Sequence, residues 1–209
     1  MARLLAGDGD VRAAADEWRK AIAIPGRLSP QEKQRIELML SQHTTPAGYF
    51  RKVDEYLALY PDDSQVISRS ATNIWHQRND FRAAEARYRS VIKPVYPNQG
   101  GTHYSLGIML LGQERYPEAL AAFRKSRDLG FSGWGESYAR AYDAQRLHAE
   151  ADKAYFGGTG GRNGWRGESA IVTWIDRNQP RAAVEAADAW LVSARKNQDL
   201  LETLRARAA

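Results

Sequence analysis

The chain has 209 residues, 43% of them hydrophobic and 26% charged, ordinary values for a globular fold with a sizeable core. It has no cysteine, which excludes disulfides, cysteine nucleophiles and cysteine-based metal sites, and no run nears the ~18–20 apolar residues of a membrane-spanning helix. The net charge of +5 and pI near 9.5 come from basic residues interleaved with Asp and Glu, without the clustered stripe usual in nucleic-acid binders.

Met1 to Leu5, followed by Gly7-Asp8-Gly9-Asp10, is too short an apolar stretch for a secretory signal. A helix is predicted from Asp10 to Ile22, with Ala14 and Trp18 on its inner face. It needs a partner helix ahead of it, and Met1 to Ala6 is under two turns. The expectation is a chain that begins inside a repeat, as an excised portion of a longer solenoid or with a partner over the open face. Ser29-Pro30-Gln31-Glu32 then carries a cap, a first-turn proline and a capping-box carboxylate. Ile36, Leu38, Met39 and Leu40 give that helix its buried stripe. Thr45-Pro46 opens its partner, with Tyr49, Val53, Tyr56 and Leu57 inward, and Pro61-Asp62-Asp63 ends the pair. The third pair places Val66, Ile67, Ala71, Ile74 and Trp75 on one helix and Phe81, Ala84, Tyr88 and Ile92 on the other, across an Asn79-Asp80 turn. The fourth has Tyr104, Leu106, Gly107, Leu110 and Leu111, then Tyr116, Ala119, Leu120, Phe123 and Leu129.

Four of these segments superimpose at a constant step of 35 residues: Ala14, Tyr49, Ala84 and Ala119 share one register, and Trp18, Val53, Tyr88 and Phe123 a second. A fixed period of this size signifies stacked helical pairs. His103-Tyr104-x-Leu106-Gly107-x-x-Leu110 followed by Tyr116-x-x-Ala119-x-x-x-Phe123 resembles the tetratricopeptide repeat (TPR), and the likeness extends over essentially residues 1–156. It implies an all-α, right-handed α-solenoid of helix-turn-helix pairs, the first incomplete. Tyr49 departs from the pattern by standing where a small residue belongs, so the second pair must pack differently.

Beyond residue 131 the step shortens to 32, from Ala119 to Ala151 and from Ala151 to Ala183. Trp134, Tyr138, Tyr142, Ala151 and Tyr155 make a fifth pair. Residues 157–167 form a Gly-rich loop, with a helix expected to start near Glu168. The loop lacks the P-loop spacing, so it is a connection whose Arg162, Trp165 and Arg166 are contact residues at most. Residues 168–209 hold a diverged pair with Trp174, Pro180, Ala183, Ala187 and Trp190, then a capping helix from about Asn197 to Arg207.

His43, His76, His103 and His148 fall in four different pairs without metal-ligand spacing, and no nucleophile motif or isolated carboxylate pair is present. The expectation is no cofactor, no metal and no enzymatic activity. The resemblance implies that the first helix of each pair lines a concave groove. Its candidate binding residues are Arg69, Asn73 and His76 on the third pair, Tyr104, Ile108 and Leu111 on the fourth, and Glu136 and Arg140 on the fifth, with Trp165 on the loop. Arg69 and Asn73 match part of the two-carboxylate clamp of some TPR proteins, but Ser105, Gly133 and Ser137 replace the rest, so an acidic or polar extended ligand is expected in place of a chaperone tail.

The resulting expectation is a non-catalytic scaffold that binds a peptide or helix of a partner protein. One alternative is a periplasmic arm of a bacterial envelope or polysaccharide-export assembly; excision from such a protein leans the location from cytoplasm towards periplasm. The other is a pentatricopeptide-like binder of single-stranded RNA, which the 35-residue step and basic pI favour. Against it, pairs end in Ile24-Pro25-Gly26 or Tyr60-Pro61-Asp62, a TPR habit, and the base-reading places hold Arg69, Tyr104 and Glu136.

Overall fold

The structure, a computed structural model, describes residues 11–24, 26–44, 46–96, 98–132, 135–156, 165–185, 187–188 and 191. The helices are α1 (Val11–Ala23), α2 (Pro30–Thr44), α3 (Pro46–Leu59), α4 (Ser64–Arg78), α5 (Phe81–Ser90), α6 (Gln99–Leu111), α7 (Tyr116–Asp128), α8 (Gly135–Ala144), α9 (His148–Phe156) and α10 (Trp165–Asp176). Residues 180–185 are helical as well, and no strand occurs among the described residues.

Local chemistry sets these boundaries. The Glu32 amide donates to Ser29 Oγ at 3.2 Å while Glu32 Oε2 accepts from the Ser29 amide at 2.9 Å, closing the capping box of α2. Those bonds hold the Glu32 carboxyl below its ordinary pKa. Asp63 caps α4 by accepting from the amides of Gln65 and Val66, both at 3.1 Å, and Asp80 caps α5 through the Ala83 amide at 2.9 Å. The turn inside each later pair uses one residue of left-handed backbone: Asn79 (φ 52°), Glu114 (φ 59°), Arg146 (φ 60°) and Asn178 (φ 55°). From 79 to 114, 114 to 146 and 146 to 178 the steps are 35, 32 and 32, so the backbone repeats on the same steps as the apolar register.

The chain forms two compact bodies, Met1–Tyr96 and Pro97–Ala209. In the first, Tyr49 is 1% exposed and packs with Leu38, Val53, Tyr56 and Val66. The bulky residue at the small-residue register is thus accommodated as the largest wholly buried side chain among the described residues, with Phe50 edge-on at 5.2 Å between ring centroids. Ala84 and Tyr88 of the next pair are buried in the expected registers.

In the second body Gly107 gives α6 its close approach to α7: a Cβ there would lie 2.3 Å from Phe123 Cε1. Ser126 Oγ donates to the Gly100 carbonyl at 2.7 Å, a second point where the two helices meet at backbone distance. Ala139 and Ala151 form the buried seam of α8 and α9.

Three expectations need correction. Ile92 was expected on the second helix of the third pair, but α5 ends at Ser90 and the buried residue there is Val91, 1% exposed. Leu129 was expected in the stripe of the fourth pair, but it follows the end of α7 and is 44% exposed. The helix expected near Glu168 begins at Trp165, so residues 165–167 belong to α10. The Asn197–Arg207 cap, Trp134, Trp190 and the residues before Val11 lie outside the described residues.

Candidate functional site

In the Met1–Tyr96 body, the first helices of two successive pairs, α2 and α4, are joined by a ladder of polar side chains. At one end, Arg35 Nη1 donates to Gln65 Oε1 at 3.4 Å and lies 3.5 Å from Asp63 Oδ2. At the other, Gln42 Nε2 donates to Asn73 Oδ1 at 3.1 Å, and Arg69 Nη1 donates to Gln42 Oε1 at 3.4 Å. Arg69 and Asn73 are therefore brought together through Gln42, which sequence reasoning did not single out. Its one signal is position: Gln42 precedes Asn73 by 31 residues, one helical turn short of the 35-residue step.

Asn73 is 6% exposed, and its amide nitrogen, which faces Tyr49, makes no hydrogen bond of normal geometry. Burial pushes the Tyr49 phenol pKa up, opposed by the Asn73 amide and by Arg69 and Arg87. The Asn73 nitrogen is buried against Tyr49, so what the Gln42–Asn73–Arg69 set has left over at its surface is the remaining N–H groups of the exposed Arg69 guanidinium. A ligand there must bring acceptors, as carboxylates or peptide carbonyls do. His76 is exposed, with its ring tilted against Trp75 at 4.2 Å.

The remaining candidates belong to the Pro97–Ala209 body. Tyr104 is half-buried, its ring 4.9 Å from Phe131 and 5.8 Å from Phe123, and its hydroxyl lies 3.1 Å from Ser137 Oγ. Most of that side chain is occupied by the core. Ile108 and Leu111 are half-buried. Glu136 and Arg140 pair with each other at 2.8 Å across one turn of α8. Trp165 opens α10, and its side chain lies outside the described residues.

A cluster that sequence reasoning missed sits where α8, α9 and α10 meet. Arg177 donates to Asp143 through Nε at 2.9 Å and through Nη2, and to Asp152 through Nη1 at 2.7 Å. His148 Nδ1 lies 3.0 Å from the same Asp143 oxygen. Burial works against the Arg177 charge, but the bonds to Asp152 and Asp143 outweigh it and its pKa is raised. A cavity of about 660 Å³ adjoins the cluster. Among the described residues no group of three or more His, Asp or Glu is placed to hold a metal ion, and no helix is long and apolar enough to cross a membrane.

Comparison with family models and with curated proteins returns no match. Among solved structures, the chain is similar to the crystal structure of PilW, a widely conserved type IV pilus biogenesis factor. The TM-score is 0.73 at 14% identity, covering 97% of this chain and 94% of that one. It is also similar to the structure of Pseudomonas aeruginosa PilF, with a TM-score of 0.66 at 18% identity over 88% of this chain and 85% of that one. Both are helical folds of TPR type, and at these identities the likeness is one of fold.

Proposed function

We propose that the chain is a non-catalytic interaction module of a bacterial envelope assembly, of the kind to which the type IV pilus biogenesis factor PilW belongs. The observation that carries this reading is the end-to-end correspondence with PilW, which leaves neither chain with a large unmatched segment. Fold by itself does not transmit function. The reading is therefore tied to a surface: the faces of α2 and α4 that carry Gln42, Arg69 and Asn73, where the spare N–H groups of the exposed Arg69 suit an acidic or acceptor-rich extended segment of a partner protein. Tyr104, Ile108, Leu111, Glu136 and Arg140 are candidates for further contacts.

The test is co-purification from the envelope fraction of a type IV-piliated bacterium, with captured proteins identified by mass spectrometry. Wild type is expected to retain a defined assembly protein, and Arg69→Ala to lose most of it while melting at the wild-type temperature, because Arg69 is exposed. Equal recovery by both proteins removes the α2–α4 face from consideration. Recovery of no envelope component removes the assembly role.

A further inference from the structure

Helices within the Pro97–Ala209 body are joined in two different ways. α6 and α7 meet through Phe123 against Gly107, and α8 and α9 through Ala139 and Ala151 with Tyr142 and Ala154 packed on them. The described side chains of α10, residues 171–176, show no seam of that kind. Val172 and Ile175 are 49% and 60% exposed, and Thr173 alone of them is buried.

The group that fastens it lies one residue past its end. The Arg177 side chain is only 6% exposed and reaches two carboxylates on two helices, Asp143 of α8 and Asp152 of α9. Its guanidinium also lies over the Trp174 ring at 4.8 Å. Asp143 Oδ1 receives Arg177 and His148, while its Oδ2 is buried without a partner. The adjoining cavity is lined by Arg140, Arg146 and His148 on one side and by Val172, Thr173 and Asp176 of α10 on the other.

We propose that Arg177 is the latch of a separable element: this guanidinium fastens α10 to α8 and α9, and α10 undocks as a unit, opening the cavity while α6 to α9 stay folded. The inference does not depend on the function proposed above. An apolar seam loses strength in proportion to the area removed. A desolvated ion pair behaves more nearly as all or none, because removing one partner leaves a buried charge unmatched. The share of the docking that Arg177 carries is thereby concentrated in a single side chain. Arginine is required, since its planar fork spans both carboxylates where a lysine ammonium serves only one. In the undocked state Asp143 and Asp152 regain water, so release leaves no charge stranded. Such an opening is a local event with its own free energy, below that of global unfolding.

Native-state hydrogen exchange on the full chain tests this. Arg177→Met is expected to speed exchange of amides 171–177 about tenfold or more, with Arg177→Lys between it and wild type. Amides of α6 and α7 should change by less than about twofold. Adding Asp143→Asn and Asp152→Asn to Arg177→Met removes the stranded charges and should restore part of the lost protection. Unchanged exchange at 171–177 in both single variants would show that apolar packing holds the helix and would overturn the proposal. Equal acceleration of α6, α7 and α10 would overturn it too, by making Arg177 a support of the whole body. If the methionine variant does not fold, the lysine variant decides by the same comparison.

Discussion

One added methyl group separates a close helix crossing from a strained one at position 107. In an exposed helix interior, alanine for glycine gains up to about 1 kcal/mol of propensity. Here the new Cβ would stand 2.3 Å from a Phe123 ring that is itself wholly buried, an overpacking that costs about 1–3 kcal/mol. Gly107→Ala should therefore be destabilising in urea melts, and its cost should shrink in a Phe123→Leu background. Tyr56 supplies a different residue-scale prediction. Burial, then its 2.7 Å bond to Asp63, pushes its phenol up to about 12. The folded chain keeps a proton that the unfolded chain releases above pH ~10, so this contribution is whole below pH ~10 and is lost as the pH rises towards 12. Unfolding free energy measured from pH 8 to 11.5 should fall less steeply in Tyr56→Phe than in wild type. Some slope will remain, since burial raises Tyr49 and Tyr138 as well.

Helix starts are where neighbouring sequence speaks most directly, and they differ in what else they hold. Asp80 caps α5 through one backbone amide, whereas Asp63 caps α4 through two, accepts the Tyr56 hydroxyl and lies near Arg35. Asp80→Ala should cost about 0.5–2 kcal/mol, the usual loss of a cap. Asp63→Ala should cost about 1–2 kcal/mol more, because it also leaves the Tyr56 hydroxyl buried without its acceptor. Chemical denaturation of the two variants in parallel measures the difference. The capping box at Ser29 and the buried registers at Ala84, Ala119, Ala151 and Phe123 were legible because each depends on spacing within one or two turns of helix or on the repeat step. Gln42 and Arg177 were not. Gln42 meets Asn73 at a separation of 31, and Arg177 meets Asp143 and Asp152 at 34 and 25. A search along single helices passes over such pairings. Leu129 was misplaced because periodicity alone does not reveal that α7 has already stopped at Asp128.

At the scale of the whole chain, the charge of +5 is dispersed, and many exposed cations carry a carboxylate of their own. Arg19 with Asp16, Lys20 with Glu17, Arg115 with Glu118 and Lys153 with Glu150 pair within a single turn. Such a surface releases few counterions from a polyanion. Fluorescence anisotropy with a labelled oligouridylate should show weak binding at 50 mM salt that is gone by about 150 mM, with a log–log slope shallower than about −2. The left-handed residues at 79, 114, 146 and 178 also belong to this scale, since one recurs inside each successive pair. Two of the four are asparagine, which tolerates that conformation, and two are Glu114 and Arg146, for which it is costly. Replacing either of the latter by asparagine or glycine should raise the melting temperature. These joints give an engineer interchangeable couplings, adjustable one at a time while every packed surface between them keeps its original chemistry.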